Sequence, residues 1–375
     1  MKTQQLRLVD GQWDPLVDPS LRQHDSLLAL VMGDMAGNLT AIRELAGLLP
    51  KAHIAGVSTS GEILNQCLED QGLSVTLLAF DHSRIRTTSR SITDPKASYL
   101  LGKGIAQELD EEDLQLILVL SDGLKVYGSD LAHGLADNSR PGVAITGGLA
   151  GDNSAFIQTW TLLDDSLSDQ QVVAVGLYGD HLHITQGSRG GWTPFGPERQ
   201  VTDSQGHELF ELDHQAALTV YKEYLGDKVD GLPFSGLRYP LEISQPGSTT
   251  RLVRTMLAVD EQRQSITFAG GIPKGSVARL MRASVESIIQ GANDAIHVCL
   301  EQLPVPQFTL MVSCVGRKQV LKQMADEELE VVREALPETT MVCGFYSYGE
   351  ISPADTGMKA ELHNQTMTIT CLSET

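Results

Sequence analysis

Residues 339–371 read TTMVCGFYSYGEISPADTGMKAELHNQTMTITC. An apolar run leads into turns at Gly344 and Gly349, Glu350 stands beside the second turn, and a returning strand carries His363. His53 to Ile63, HIAGVSTSGEI, is a shorter echo with the same Gly-Glu-Ile ending. A third relative, VAITGGLAGD, ends at Asp152. Upstream of each lies a continuous apolar run, a polar turn and a helical segment. The three segments are Leu27–Ile63, Leu116–Asp152 and Phe308–Ile351. Apolar runs bounded by turn residues suit strands buried on both faces, so each segment reads as a βαβ unit. So few copies argue for related halves and against a solenoid array.

The remaining chain fits this frame. Helices are predicted over Leu39–Leu49, Pro95–Leu109, Ser129–Asp137, Asp213–Leu225, Val285–Leu303 and Lys318–Leu336. Gly187 to Pro197, GSRGGWTPFGP, is dense in glycine and proline and reads as a linker. At 375 residues the chain is long for one core. The expected architecture is therefore α/β with two related halves, 1–190 and 191–375. Each half is a mixed β-sheet with βα crossover units and helices packed on it.

Composition excludes several classes. A formal charge of −20 argues against a nucleic-acid partner, which needs clustered Lys and Arg. Solubility is its simplest use. Apolar runs fall far short of the ~20 residues that span a bilayer, so no membrane role is expected. The first residues carry no apolar segment of a secretory leader. Five widely spaced cysteines, with no CxxC pair, fit reduced thiols in the cytoplasm.

A βαβ crossover is right-handed and gathers the loops after its strands at one sheet edge, where ligands of such sheets sit. The expected ligand-binding residues are Ser58, Thr59, Ser60, Gly61 and Glu62 in the first loop. Gly147, Gly148 and Asp152 follow in the second, and Tyr348, Gly349 and Glu350 in the third. Arg317, after a buried strand, either clamps a ligand carboxylate, pairs with Glu350, or forms an interior ion pair. The simpler role for Glu62 and Glu350 is to accept hydrogen bonds from loop donors, and Asp122 and Asp152 read as turn residues. Cys314 beside Arg317 is either a packed thiol or the nucleophile of a hydrolase. No Walker or GxGxxG spacing appears, which argues against nucleotide binding.

Taken together, GVSTSGEI, LSDG (120–123), GGLAGD (147–152), GWTPFG (191–196), SCVGR (313–317), GFYSYGEI (344–351) and HNQT (363–366) resemble the FIST proteins. The resemblance covers nearly the whole chain, as an N-terminal and a C-terminal FIST domain. It implies a bacterial cytoplasmic sensor that regulates a histidine kinase or a cyclic-di-GMP enzyme. No kinase, receiver or GGDEF-like segment is visible, so output would pass to a separate partner, with a homodimer as one assembly. A stand-alone FIST chain resembles the nitric-oxide-sensing haem subgroup, which implies haem b as cofactor. The alternative is a haem-free sensor of a small metabolite such as an amino acid. Haem needs an axial ligand, most often His, and a large apolar pocket. His363, on an inward strand face, is the first choice and His214 the second, against the plain reading of a core histidine bonded to backbone. His181 and His183 share an exposed strand face.

Overall fold

A computed structural model describes residues 1–70, 72–245, 247, 250–355 and 357–375, without the side chains of 227 and 228. It is α/β, and both halves are built from one repeated unit. The first unit comprises strands Lys2–Val9, Leu27–Gly33, His53–Val57 and Leu73–Ala79, with helix α1 (Leu39–Leu48) in the crossover. The second comprises Arg84–Ser91, Leu114–Ser121, Ala144–Leu149 and Gln171–Tyr178, with α2 (Ser98–Leu109) and α3 (Gly128–Asn138). After Leu182–Arg189, the opening strand of the third unit, residues 193–282 form an inserted subdomain containing α4 (Ala217–Leu225). The third unit then continues with α5 (Val285–Leu300), Phe308–Cys314, α6 (Val315–Leu321), α7 (Ala325–Ala335), Met341–Ser347 and Met367–Glu374. In each unit the two crossover strands are parallel, and the last strand pairs antiparallel with the strand before the helix.

The sequence pattern explains the packing. Alternate residues of the three central strands point to one shared core: Leu28, Leu30 and Met32, Leu116, Leu118 and Leu120, Phe308, Leu310 and Val312. The intervening residues face the helices, so Val31 packs with Ile42 and Leu45 of α1. Val119 packs with Ile105 and Leu131, and Met311 with Ile296, Leu329 and Val332. Both faces are buried, which is why these strands read as unbroken apolar runs. Glycine recurs in the post-helix strands for a steric reason. A Cβ on Gly147 would stand 1.9 Å from the Val119 carbonyl oxygen, and one on Gly344 1.9 Å from that of Met311.

The units are knitted into a ring. Beyond the first unit's loop, Glu62–Leu64 adds to the third unit's sheet on Met341–Ser347. Beyond the third unit's loop, Gly349–Pro353 adds to the second unit's sheet on Ala144–Leu149. From the second unit, Thr161–Leu163 adds to the first unit's sheet on His53–Val57. Strands from either side of Gly190 thus share sheets.

Three local expectations change. The predicted helix 318–336 is two helices, because Lys322 adopts φ 56°. The break lets Val320 and Leu321 pack with Ile288, while Leu329 and Val332 cover the sheet. The helix predicted from Asp213 begins at Ala217, since Asp213 and His214 have φ 50° and 63° and turn a hairpin. The Asp213 carboxylate takes Arg199 and the amide of Gln200 instead of capping the helix. The Gly/Pro-rich stretch is anchored: a Cβ on Gly191 would meet the Ser287 carbonyl at 1.8 Å, so its glycines admit close approach to α5.

The inserted subdomain is antiparallel around its own core of Val201, Leu218, Tyr221, Ile266 and Phe268. It lies over the strand ends of the third unit, where Leu237 and Met256 face the start of α6.

Candidate functional site

The three loops converge. The amide of Ser60 donates to the Tyr346 carbonyl at 2.8 Å, and that of Tyr346 to Gly61 at 2.9 Å. The amide of Gly151 donates to Ser58 at 2.9 Å, and that of Tyr348 to Leu149 at 3.1 Å. Much of this junction is packed protein. A Cβ on Gly148 would meet Val312 at 2.8 Å, one on Gly349 would meet Leu362 at 2.8 Å, and one on Gly61 would meet Leu68 at 2.7 Å. Gly61, Gly147, Gly148 and Gly349 therefore serve close approach of neighbouring strands and loops, and Gly148 does so between the second and third units. Ser60 is buried within the same junction, with a hydroxyl that has no partner among the described residues.

Two openings flank the junction. One is a polar cleft of about 450 Å³ at the strand ends of the first unit, lined by Asp34, Ser58, Thr59, Glu62, Asp152 and Trp160 among others. Ser58 Oγ donates to the Gly151 carbonyl at 2.7 Å and accepts from Trp160 N at 2.9 Å. Thr59 Oγ1 donates to Glu62 Oε1 at 2.6 Å. Burial pushes the Glu62 carboxyl up to about 7, against the hydrogen bond from Thr59. Asp152 is a turn residue: its carboxylate accepts from the amides of Phe156, Ile157 and Gln158 and from the Tyr348 hydroxyl.

The other opening is an apolar cavity of about 400 Å³ at the strand ends of the third unit, roofed by the inserted subdomain. Its floor is Cys314, Val315 and Gly316, and its wall is Ala155, Phe156 and Tyr348. The Phe156 and Tyr348 rings stack 4.3 Å apart, 9° from parallel. Its roof is Pro233, Phe234, Leu237, Met256 and Leu257. Phe234 is 74 % exposed at the rim. The polar side chains of this lining include Ser154, Thr255 and Gln319. Gln319 Nε2 donates to Ser154 Oγ at 2.8 Å. The Thr255 hydroxyl is buried with no partner among the described residues. An unpaired buried hydroxyl is costly; Thr255 lines the cavity, but its Oγ1 is sealed from it.

Other candidates are placed elsewhere. Arg317 is fully buried and pairs with Glu328 at 2.7 Å, not with Glu350. Its remaining donors go to the carbonyls of Gly190 and Ile288, so it has none to offer a ligand. Glu350 is sealed in the core and accepts from Ser347 Oγ at 2.8 Å and Thr366 Oγ1 at 2.7 Å. Burial pushes it up to about 8. The Cys314 thiol is buried, and burial with the nearby Glu350 charge pushes its pKa well above the usual thiol range. A thiol held protonated is a poor nucleophile.

The histidines do not fit haem. The strand expected to run from His363 to Cys371 is two strands in different sheets, bent at Gln365 with φ 62°. His363 Nε2 bonds the Ser352 carbonyl at 2.9 Å in a sealed site. Burial pulls its pKa down to about 4. It is the core histidine bonded to backbone that the plain reading described. His214 sits on a turn with its side chain 84 % exposed, beside Glu211. Neither faces the apolar cavity, whose lining contains no histidine. No group of three or more metal-ligating side chains is assembled among the described residues. No helix among them is long and apolar enough to cross a membrane.

The cavity residues not foreseen come mostly from the insertion, where Leu237, Thr255 and Met256 belong to no repeated motif. Phe156, the aromatic residue four positions after GGLAGD, was the available signal.

Comparison with known proteins follows this geometry. Chorismatase aligns over 99 % of this chain and 98 % of its own, with 11 % identity and a TM-score of 0.38. Cyanuric acid hydrolase from A. caulinodans aligns over 93 % and 89 %, with 9 % identity and a TM-score of 0.33. No curated protein sequence matches. Residues 28–215 match the FIST N domain and residues 217–353 the FIST C domain. The chain thus belongs to the FIST family, whose domains are sensor domains of signal transduction.

Proposed function

We propose that this protein is a haem-free sensor of a small, uncharged and mainly apolar molecule, held in the cavity between the third unit and the inserted subdomain. One observation carries the reading. A preformed apolar space walled by an aromatic stack also carries the polar side chains of Ser154 and Gln319, and binding sites commonly combine such a lining with a few polar groups.

The cavity joins the second unit's loop, the start of α6 and the insertion. A ligand there favours whichever docking of the insertion closes on it, and a population shift of that kind is a signal. The output would pass to a separate cytoplasmic partner, a histidine kinase or a cyclic-di-GMP enzyme. For nitric oxide sensing through haem b, the lining of this cavity offers no histidine.

The test is an absorbance spectrum of the purified protein mixed with hemin, run beside a thermal-shift series. The series would hold uncharged aromatic and aliphatic compounds and the amino acids. The expected outcome is no Soret band and a rise in melting temperature with the uncharged apolar compounds. A Soret band that shifts on adding nitric oxide would restore the haem reading.

A further inference from the structure

A second cleft, of about 340 Å³, lies between the inserted subdomain and the second unit, away from the converging loops. Arg254 lines it and is only 2 % exposed. Its guanidinium is held in place by backbone. Nε donates to the Gly271 carbonyl at 3.2 Å, and Nη1 donates to those of Leu362 at 2.9 Å and Val253 at 3.3 Å. The group lies flat on Gly270, where a Cβ would stand 2.6 Å from Nε. Among the described residues no carboxylate forms an ion pair with it. Nη2 has no hydrogen-bond partner among them, and it is not sealed from the cleft.

A buried charge without a counter-ion is costly. Arg254 bears that cost in its pKa, which burial pulls down to about 10. Of the carboxylates that line the cleft, Glu361 offsets part of that cost through space without forming an ion pair with Arg254. Glu361 is taken by His133 at 2.8 Å, and Asp130 makes no ion pair among the described residues. Lys274 also lines the cleft and reaches Asp203 at 3.1 Å.

We propose that this cleft binds a small oxyanion, a carboxylate or a phosphate, as the missing partner of the Arg254 guanidinium. The planar group is fixed by three carbonyls, and the N–H groups left over are those of Nη2, which an oxyanion can accept as a charge-assisted hydrogen bond. The site is independent of the apolar cavity and does not rest on the reading given to that cavity. It touches both the insertion and the second unit, so its occupant would bias the same docking.

The experiment is calorimetric titration of the full chain at fixed ionic strength with inorganic phosphate, succinate and the neutral analogue succinamide. Phosphate or succinate is expected to bind, and succinamide is not; which anion binds tells a phosphorylated ligand from a carboxylate. Arg254→Gln should weaken binding at least ~10-fold, the loss expected for a charge-assisted hydrogen bond. Asp130→Asn leaves Arg254 in place and removes a like charge from the wall, so it should tighten binding roughly 2–5-fold. If Arg254→Gln fails to fold, the Asp130 variant decides. Failure of both anions to bind, or an affinity indifferent to the substitutions, would overturn the site.

Discussion

The strand ends of the first and third units occupy the same place in the repeated fold, yet they open onto different chemistry. In the first unit the turn is Gly33-Asp34, and the space above it is an open cleft bordered by Asp34, Asp70, Asp152 and Glu62. In the third unit the turn is Cys314-Val315-Gly316, and the insertion covers it, giving an apolar cavity. The repeated Gly-Glu motif is common to both and therefore does not set the difference. In each copy a hydroxyl three residues earlier, Thr59 or Ser347, donates to the glutamate, so the motif staples its loop. Specificity comes from what the insertion adds above one copy.

The largest expected contrast concerns the ion pair beneath the cavity. Glu328→Gln strips Arg317 of the one carboxylate it pairs with among the described residues and should cost about 3–5 kcal/mol, the usual effect of breaking a buried pair. Glu44→Gln, on the exposed face of α1, should stay within about 0.5 kcal/mol. Urea unfolding of the two variants measures both. Equal effects would mean that the third unit gains nothing from the pair.

A second contrast is in pH dependence. Both glutamates have folded pKa values above the ordinary carboxyl value of ~4.3, Glu62 at about 7 and Glu350 at about 8. A raised pKa means that the native state binds the proton more tightly. Stability from each is complete below ~4.3 and is lost as pH rises through the folded value. Glu350→Gln should flatten that loss up to pH about 8, on the order of 1–3 kcal/mol. Glu62→Gln should flatten it less, and only to pH about 7. Melting curves across pH check this, and identical profiles for the two variants would erase the distinction.

The smallest expected effect is the most specific. Thr255→Val replaces an unpartnered buried hydroxyl with a methyl. It should be neutral or stabilising by about 1 kcal/mol or less. A clear loss of stability would show that the hydroxyl is already used.

Much of this fold was legible in sequence, because strands buried on both faces leave unbroken apolar runs and the post-helix glycines recur. The convergence of the loops was legible for the same reason. The exchange of strands between units was not, since Glu62–Leu64 and Gly349–Pro353 are short and carry no mark of the sheet they join. Arg317 stood out, but its partner Glu328 lies on α7, where it resembles the solvated acids around it. The cavity was least legible, because its roof belongs to an insertion whose side chains meet the third unit only in space. His363 misled because its strand ends there, and the chain turns at Gln365 and changes sheets, which no glycine or proline in the sequence marks.

The central claim is that the roofed cavity takes an uncharged apolar molecule. The most direct test is the melting temperature of the wild-type chain with and without indole as a probe, beside Leu237→Trp, which fills the cavity from its roof. The expected result is a rise in the wild type that is absent in the variant. No rise in the wild type, or the same rise in both, would contradict it.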